Sequence, residues 1–172
     1  MSEVLEICAM RPLVDCEEMR CFIAIDIPQN IRQSISEVIK KCNQISKGIK
    51  WVAGENIHIT LKFLGETNEG LIQDIQKKLA TVCAERDIFN ITVKGVGAFP
   101  NFKYPNVLWN GVEESEELKR LYEDIEDALS ELGFEKENRK FSPHLTIGRV
   151  KDRKDIEPVT KGLYTFKDTF FG

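Results

Sequence analysis

The sequence is poor in histidine and in long apolar runs. Only two histidines occur in 172 residues, and no window approaches the eighteen or so consecutive apolar residues that a membrane-spanning helix needs. Glu3 and Glu6 interrupt the place where a signal peptide would carry its apolar stretch, so a soluble, untargeted, cytoplasmic protein is expected. Positive charge is not in excess either: 24 Lys and Arg stand against 28 Asp and Glu, a net charge of −4. No overall basic field draws in long nucleic acid, and any such contact must be local. The chain has no Gly-x-Ser-x-Gly elbow and no His-Glu-x-x-His pair, which argues against a serine hydrolase and a zinc hydrolase. Gly95-Val-Gly97 lacks the Gly-Lys-Ser/Thr continuation of a phosphate loop and reads as a bulge or a close backbone approach inside a strand.

Five cysteines, Cys8, Cys16, Cys21, Cys42 and Cys83, are an odd number at scattered spacings, with no Cys-x-x-Cys and no histidine nearby. Reduced thiols are expected, with Cys21, Cys42 and Cys83 acting as small buried hydrophobes. No metal ligand set and no cofactor motif is evident.

A length of 172 residues with 42% hydrophobic content suits one ordinary domain able to bury its own core. Residues 1–18 follow neither a helical nor a strand period and read as an N-terminal appendage; the domain proper is expected over 19–172. Cys21–Ile27 reads as a buried strand stopped by Pro28, followed by a helix with the stripe Ile31, Ile35, Ile39, Cys42 and Ile45. Ile57–Leu64 reads as the next strand, and Leu71, Ile75, Leu79 and Val82 mark a helix near 68–86. Phe89–Phe99 and Val107–Val112 form a predicted hairpin around the Pro100–Pro105 loop. Ser115 is a candidate N-cap for a helix with the stripe Leu118, Leu121, Ile125, Ala128, Leu129 and Leu132, ended by Gly133. Its acidic face, Glu116 through Glu131, reads as solvated surface. His144–Val150 is a strand, a helix is expected over 153–163, and Tyr164–Gly172 fits no single element. The order β-α-β-α-β-β-α-β-α predicts an α+β fold with two related lobes.

Each histidine is followed two positions later by threonine: Ile57-His58-Ile59-Thr60-Leu61 and Pro143-His144-Leu145-Thr146-Ile147. Side chains alternate along a strand, so His58, Thr60 and Lys62 project to one side while Ile57, Ile59, Leu61 and Phe63 face the other. His144 and Thr146 likewise share a face opposite Leu145 and Ile147. Taken singly, either motif reads as a half-buried strand histidine beside a residue of high β-propensity. Taken together, in a chain with no other histidine, they point to a catalytic pair. Imidazole titrates at about 6.5 and both accepts and donates protons near neutral pH. Opening a cyclic phosphodiester needs one group to deprotonate water and another to protonate the departing ribose oxygen, with hydroxyl donors on the phosphoryl oxygens.

His58-Ile-Thr-Leu-Lys-Phe-Leu-Gly-Glu66, His144-Leu-Thr-Ile-Gly-Arg-Val150 and the leading Met19-Arg-Cys-Phe-Ile-Ala-Ile-Asp-Ile-Pro28 resemble the two-histidine phosphoesterase superfamily. Within it they are most similar to the RNA 2′,3′-cyclic phosphodiesterases, historically called 2′-5′ RNA ligases. The resemblance covers about 19–172. It implies a bilobal fold with a pseudo-twofold axis, each lobe an antiparallel sheet with flanking helices around a central cleft. It also implies hydrolysis of RNA 2′,3′-cyclic ends to 2′-phosphomonoesters, a reverse 2′-5′ joining reaction, and tRNA halves as candidate substrates for a monomeric enzyme without cofactor. His144 is then the base on water and His58 the acid on the 3′ oxygen, with Thr60 and Thr146 on the phosphate.

Four further residues are candidates for substrate binding. Lys62 shares the His58 face and reads either as a phosphate contact or as a solvent-exposed strand lysine. Arg149 is out of phase with His144, so only a bulge or the strand's end would return it to the cleft. Phe102 and Tyr104 in the hairpin loop read either as a nucleobase platform or as cover for a core edge. Family members continue past a Phe-Gly like Phe171-Gly172 with further strands, so the C-terminus reads as truncated, leaving a sheet edge exposed or filled by other residues, 1–18 among the candidates. Two other functions compete: an RNA-end binding module with little turnover, and a phosphodiesterase of small cyclic nucleotides.

Overall fold

A computed structural model describes residues 18–84, 86–154 and 156–172. The expected appendage lies outside the described residues except for Glu18, and so do Cys8 and Cys16. In chain order the elements are β1 (Glu18–Asp26), α1 (Gln29–Ile45), β2 (Ile49–Trp51), β3 (His58–Asn68), α2 (Ile72–Ala84), β4 (Val93–Phe99), β5 (Val107–Val112), α3 (Glu116–Ser130), β6 (His144–Val150) and α4 (Glu157–Tyr164), with 3-10 turns at Gly54–Asn56 and Glu69–Leu71. The fold class is α+β, and the chain divides into two sheet-and-helix units. No helix among the described residues is long and apolar enough to cross a membrane.

The first unit holds the described residues up to Ile25, then Thr60–Asn90 and Glu114–Ser142. β1 lies beside β3, and α2 packs against α3. α3 begins where Ser115 accepts a hydrogen bond from the Leu118 amide, satisfying one of the helix's unpaired N-terminal donors. It ends before Gly133, whose φ of 90° relieves the strain an L side chain would carry there. Leu118, Leu121, Ile125 and Leu129 are buried as predicted, but so are Tyr122 and Glu126. Glu126 therefore does not belong to the solvated acidic face. Its partner is Lys62, whose Nζ donates to Glu126 Oε2 at 2.7 Å and to the Glu135 carbonyl at 2.7 Å. Lys62 is 5% exposed, whereas Phe63, expected on the core side of the strand, is 75% exposed and faces Phe22 at 6.3 Å. In this unit the helix layer covers the Lys62 side of β3, so period alone assigned the inward face wrongly beyond Leu61.

The second unit holds Asp26–Ile59, Ile91–Glu113 and Pro143–Gly172. β6 runs antiparallel to β5, which runs antiparallel to β4. The other edge of β6 is shared end to end by β2 (Ile49↔Val150, Lys50↔Arg149, Trp51↔Gly148) and by the start of β3 (Ile59↔Leu145). One sheet face is closed by Ile31, Ile35 and Val38 of α1 and Val159 and Leu163 of α4, against Ile57, Ile59, Leu108, Leu145 and Ile147. Val38 takes the inward place predicted for Ile39, and Ile45 is 51% exposed, because the stripe follows i, i+4, i+7, i+11 from Ile31.

Gly95 and Gly97 serve as expected of glycines within a strand. At the irregularity between Val93 and Val96, Gly95 adopts φ 75° with its α-carbon pressed against the Lys167 carbonyl, and Asn110 Nδ2 donates to its carbonyl at 3.1 Å. The outer edge of β4 is met by the chain's own last residues: Lys94 bridges Phe170, the Gly95 amide donates to the Thr169 carbonyl, the Phe171 amide donates to the Val93 carbonyl, and the Val93 amide donates to the Gly172 carbonyl. Residues 169–172 thus run along the outer edge of β4. The hairpin β4–β5, β6 and the helical positions of 157–163 match expectation; β2 is an addition, and residues 87–92 are not strand. Cys21 and Cys42 are buried and Cys83 is half-buried.

Candidate active site

His58 leaves a tight turn. After β2, the Gly54–Asn56 turn closes through Asn56 N donating to the Ala53 carbonyl and Ile57 N to the Gly54 carbonyl, at 2.8 and 3.2 Å. Arg32 of α1 braces this turn: its Nη1 donates to the Gly54 carbonyl at 3.3 Å, its Nε to the Ile27 carbonyl at 2.9 Å, and its Nη2 pairs with Asp26. A cation in the first turn of a helix opposes the helix dipole, and these acceptors offset that cost. Sequence reasoning passed over Arg32, since the contact spans 22 residues. His58 is half-buried. Burial, reinforced by the Arg32 charge, holds its pKa below the ordinary value, and a hydrogen bond with the Asn56 backbone partly counters this.

The Ile59↔Leu145 pairing sets the geometry of the motifs. One step to one side of that antiparallel pair, His58 of β3 lies across from Thr146 of β6, both on the face away from α1 and α4. His144, two residues before Thr146, is the diagonal neighbour of His58, a relation that spans roughly 7–8 Å in an antiparallel pair and somewhat less between β-carbons. Thr60 follows His58 on the same side of β3, half-buried, and is the first β3 residue assigned to the first unit.

On β5, Trp109 lies opposite Thr146 and Gly111 opposite His144. The imidazole of His144 meets the Phe99 ring edge-on at 5.1 Å and the Trp109 ring at 6.2 Å, and those two rings are 5.2 Å apart. Trp109 lies flat across Gly97, where a β-carbon would come within 2.0–2.5 Å of three ring atoms. Replacing Gly97 by alanine is expected to push the indole off β4 and to cost about 1–3 kcal/mol. Urea unfolding and the near-ultraviolet circular dichroism of the tryptophans report both effects; an unchanged midpoint and spectrum would place Trp109 elsewhere.

Arg149 returns to the His144 face. The register with β5 slips from Trp109↔Thr146 to Leu108↔Gly148, leaving Ile147 as an extra residue, so that Arg149 pairs with Val107 on the Trp109 side. The other candidates lie apart. Lys62 is buried in the first unit with its ammonium on Glu126. Phe102 packs edge-on against Tyr164 at 5.5 Å, and exposed Tyr104 sits under Lys103 Nζ at 5.5 Å in a loop whose turn is tied by Asn101. The aromatic residues beside a motif histidine are instead Phe99 and Trp109. Their alternation within the hairpin was visible in the sequence, but their position over β6 required the β5–β6 register. Among the described residues no group of three or more His, Cys, Asp or Glu is arranged to hold a metal ion.

Comparison with known proteins gives concordant matches. Residues 27–170 match the model of the 2′-5′ RNA ligase superfamily. An RNA 2′,3′-cyclic phosphodiesterase of Thermotoga maritima is 44% identical over 133 residues, 77% of this chain and 71% of that protein. One from Methanocaldococcus jannaschii is 40% identical over 154 residues, covering 90% and 84%. Among solved structures, a crystal structure from Thermus thermophilus superposes with a TM-score of 0.71 at 28% identity, over 78% of this chain and 75% of that one. LigT of E. coli, crystallised with 3′-AMP, gives 0.61 at 27% identity over 79% and 76%.

Proposed function

Since the chain belongs to the 2′-5′ RNA ligase superfamily, we propose that it is a hydrolase opening RNA 2′,3′-cyclic phosphate ends to 2′-phosphomonoesters by acid–base catalysis between His58 and His144. The observation that carries this reading is the antiparallel pairing of Ile59 with Leu145, which sets both His-x-Thr motifs side by side on adjoining strands. Water attacks phosphorus and gives its proton to His144; the bond to the 3′ oxygen breaks as His58 protonates that oxygen. The attacking and leaving oxygens stand on opposite sides of phosphorus. Thr60 and Thr146 hydroxyls donate to the non-bridging oxygens, and the Arg149 guanidinium adds charge for the same anion. With the 5′ hydroxyl of a second RNA in place of water, the same proton transfers give a 2′-5′ linkage: that oxygen attacks the cyclic phosphate and yields its proton to His144, and the 3′ oxygen leaves protonated by His58. Ends of tRNA halves as substrate, a monomeric state and a cytoplasmic setting belong to the same proposal.

The pH dependence of turnover tests the assignment. An acid must carry its proton before it can give it away. Burial and the Arg32 charge hold His58 below the ordinary histidine value in the free protein, so the alkaline limb of kcat/KM is expected on the acid side of about 6.5. A bound cyclic phosphate is an anion and favours the imidazolium, so the same limb measured in kcat should lie at higher pH than in kcat/KM. Both profiles are read with an oligonucleotide bearing a 2′,3′-cyclic end in the presence of EDTA, where full activity is expected. Loss of turnover in EDTA, or a kcat/KM limb well above the ordinary value, would refute the two-histidine mechanism.

A further inference from the structure

Although the chain is acidic overall, cations collect at one end of the second unit. The approach to β2 and β2 itself carry Lys47 and Lys50; the end of β6 and the residues after it carry Arg149, Lys151, Arg153 and Lys154, all six exposed. The two segments are locked together. Lys50 pairs in register with Arg149, and the Gly48 carbonyl accepts from the amides of Lys151 and Asp152 at 2.8 and 3.0 Å. Gly48 permits that approach, since a β-carbon there would lie 2.4 Å from the Asp152 carbonyl oxygen.

Many surface lysines elsewhere are neutralised: Lys77, Lys78, Lys119, Lys136, Lys140 and Lys161 each pair with a carboxylate, whereas among the described residues Lys40, Lys41 and Lys103 are exposed without one and lie outside this cluster. Among the described residues, none of the six cations at this end pairs with a carboxylate. Arg153 instead donates to the neutral Asn106 Oδ1 at 2.6 Å, and Asp152 Oδ1 accepts from the Lys154 amide. Like charges directly opposite across an antiparallel pair destabilise a sheet, and Lys50 with Arg149 is such a pair. The bulge at Ile147 turns this pair to the side of the sheet that carries His144 and Thr146. From His144 to Arg149 the strand covers roughly 15 Å, so the charge begins about that far from His144, on the same side of the sheet, and runs away from it beyond the end of β6.

We infer that this end of the second unit is a docking strip for the phosphodiester backbone of the RNA strand whose cyclic end reacts between His58 and His144. The inference deepens the proposed function and rests on it for the direction of the strand. Backbone contacts of this kind are indifferent to sequence, weaken steeply with salt and are made by the remote part of a substrate. A cyclic mononucleotide cannot reach them. Binding energy from the remote part raises kcat/KM for the longer substrate.

The test reverses charge at Lys50, Lys151 and Lys154 together (K50E, K151E, K154E), with Lys119→Glu as a remote control for net charge. Fluorescence anisotropy measures binding of a single-stranded oligonucleotide ending in a 2′-phosphate over a salt series, and kcat/KM is compared for a cyclic-ended oligonucleotide and a 2′,3′-cyclic mononucleotide. The triple variant is expected to weaken oligonucleotide binding at least tenfold and to flatten the dependence of log K on log salt by roughly 0.7 for each phosphate it ceases to neutralise. Its kcat/KM should fall at least tenfold more for the oligonucleotide than for the mononucleotide. If the triple variant and Lys119→Glu weaken binding equally, or the salt slope is unchanged, the docking strip is overturned. If the wild type turns over neither cyclic substrate yet shows salt-sensitive binding that the triple variant loses, the hydrolase reading fails and the strip stands.

Discussion

Alanine in place of His58 or of His144 is expected to lower kcat on an RNA 2′,3′-cyclic end by roughly 10²–10⁴-fold, while leaving KM within a few-fold. Each imidazole moves one proton in the proposed step, and neither motif offers a second titratable group at its position. The two residues act as a unit, so the double variant should fall little below the weaker single variant. Folding should survive, because His58 and His144 lie on the sheet face away from α1 and α4, half-buried, while Ile57, Ile59, Leu145 and Ile147 supply the core. Steady-state kinetics beside unfolding curves separates the two effects. If each single variant stays within a few-fold of the wild type, the paired mechanism is wrong, whatever the family.

Lys62→Met should act on stability instead. The variant leaves the Glu126 carboxylate, with a side chain 6% exposed, facing a methyl group in place of an ammonium. Removing one member of a buried pair costs about 3–5 kcal/mol, because the remaining charge keeps its desolvation penalty. That is a large share of the roughly 5–15 kcal/mol by which a domain is stable. Glu126 Oε2 also accepts from the Glu137 amide at 2.9 Å, and Lys62 holds the Glu135 carbonyl, so the loop after α3 loosens with the pair. Glu126 Oε1 has no partner among the described residues, which leaves this pair short of full compensation. The double variant Lys62→Met, Glu126→Leu should accordingly recover most of the stability. Urea unfolding of the two single variants and the double variant gives the coupling. A Lys62→Met midpoint close to wild type would mean that the pair is not closed in solution.

These two outcomes separate residues that the strand period had placed on one face. His58, Thr60 and Lys62 alternate together, and period 2 assigns them one environment. In the structure Lys62 is closed over by α3 while His58 stays half-buried. An alternation states which side chains share a side of a strand; it carries no information on which side a helix will cover. The same limit misplaced Phe63 and counted Glu126 among solvated acids, since a glutamate on a buried stripe reads as surface until its lysine is found 64 residues away. Arg149 shows the converse. Parity turned it away from His144, and a single extra residue, visible only in the β5–β6 register, brings it back.

Short-range physics was readable along the chain. The Ser115 cap, the stripes of α2 and α3, the limits of β5 and β6, the strand glycines Gly95 and Gly97 and the two His-x-Thr motifs follow from residue spacing and backbone preference, which act over a few positions. Partners distant in sequence were not readable: Arg32 with Gly54, Trp109 over Gly97 and beside His144, Lys50 across from Arg149, and the tail 169–172 along β4. Each depends on strand order and register, which arise when the core of the whole unit closes, and no local preference encodes that choice.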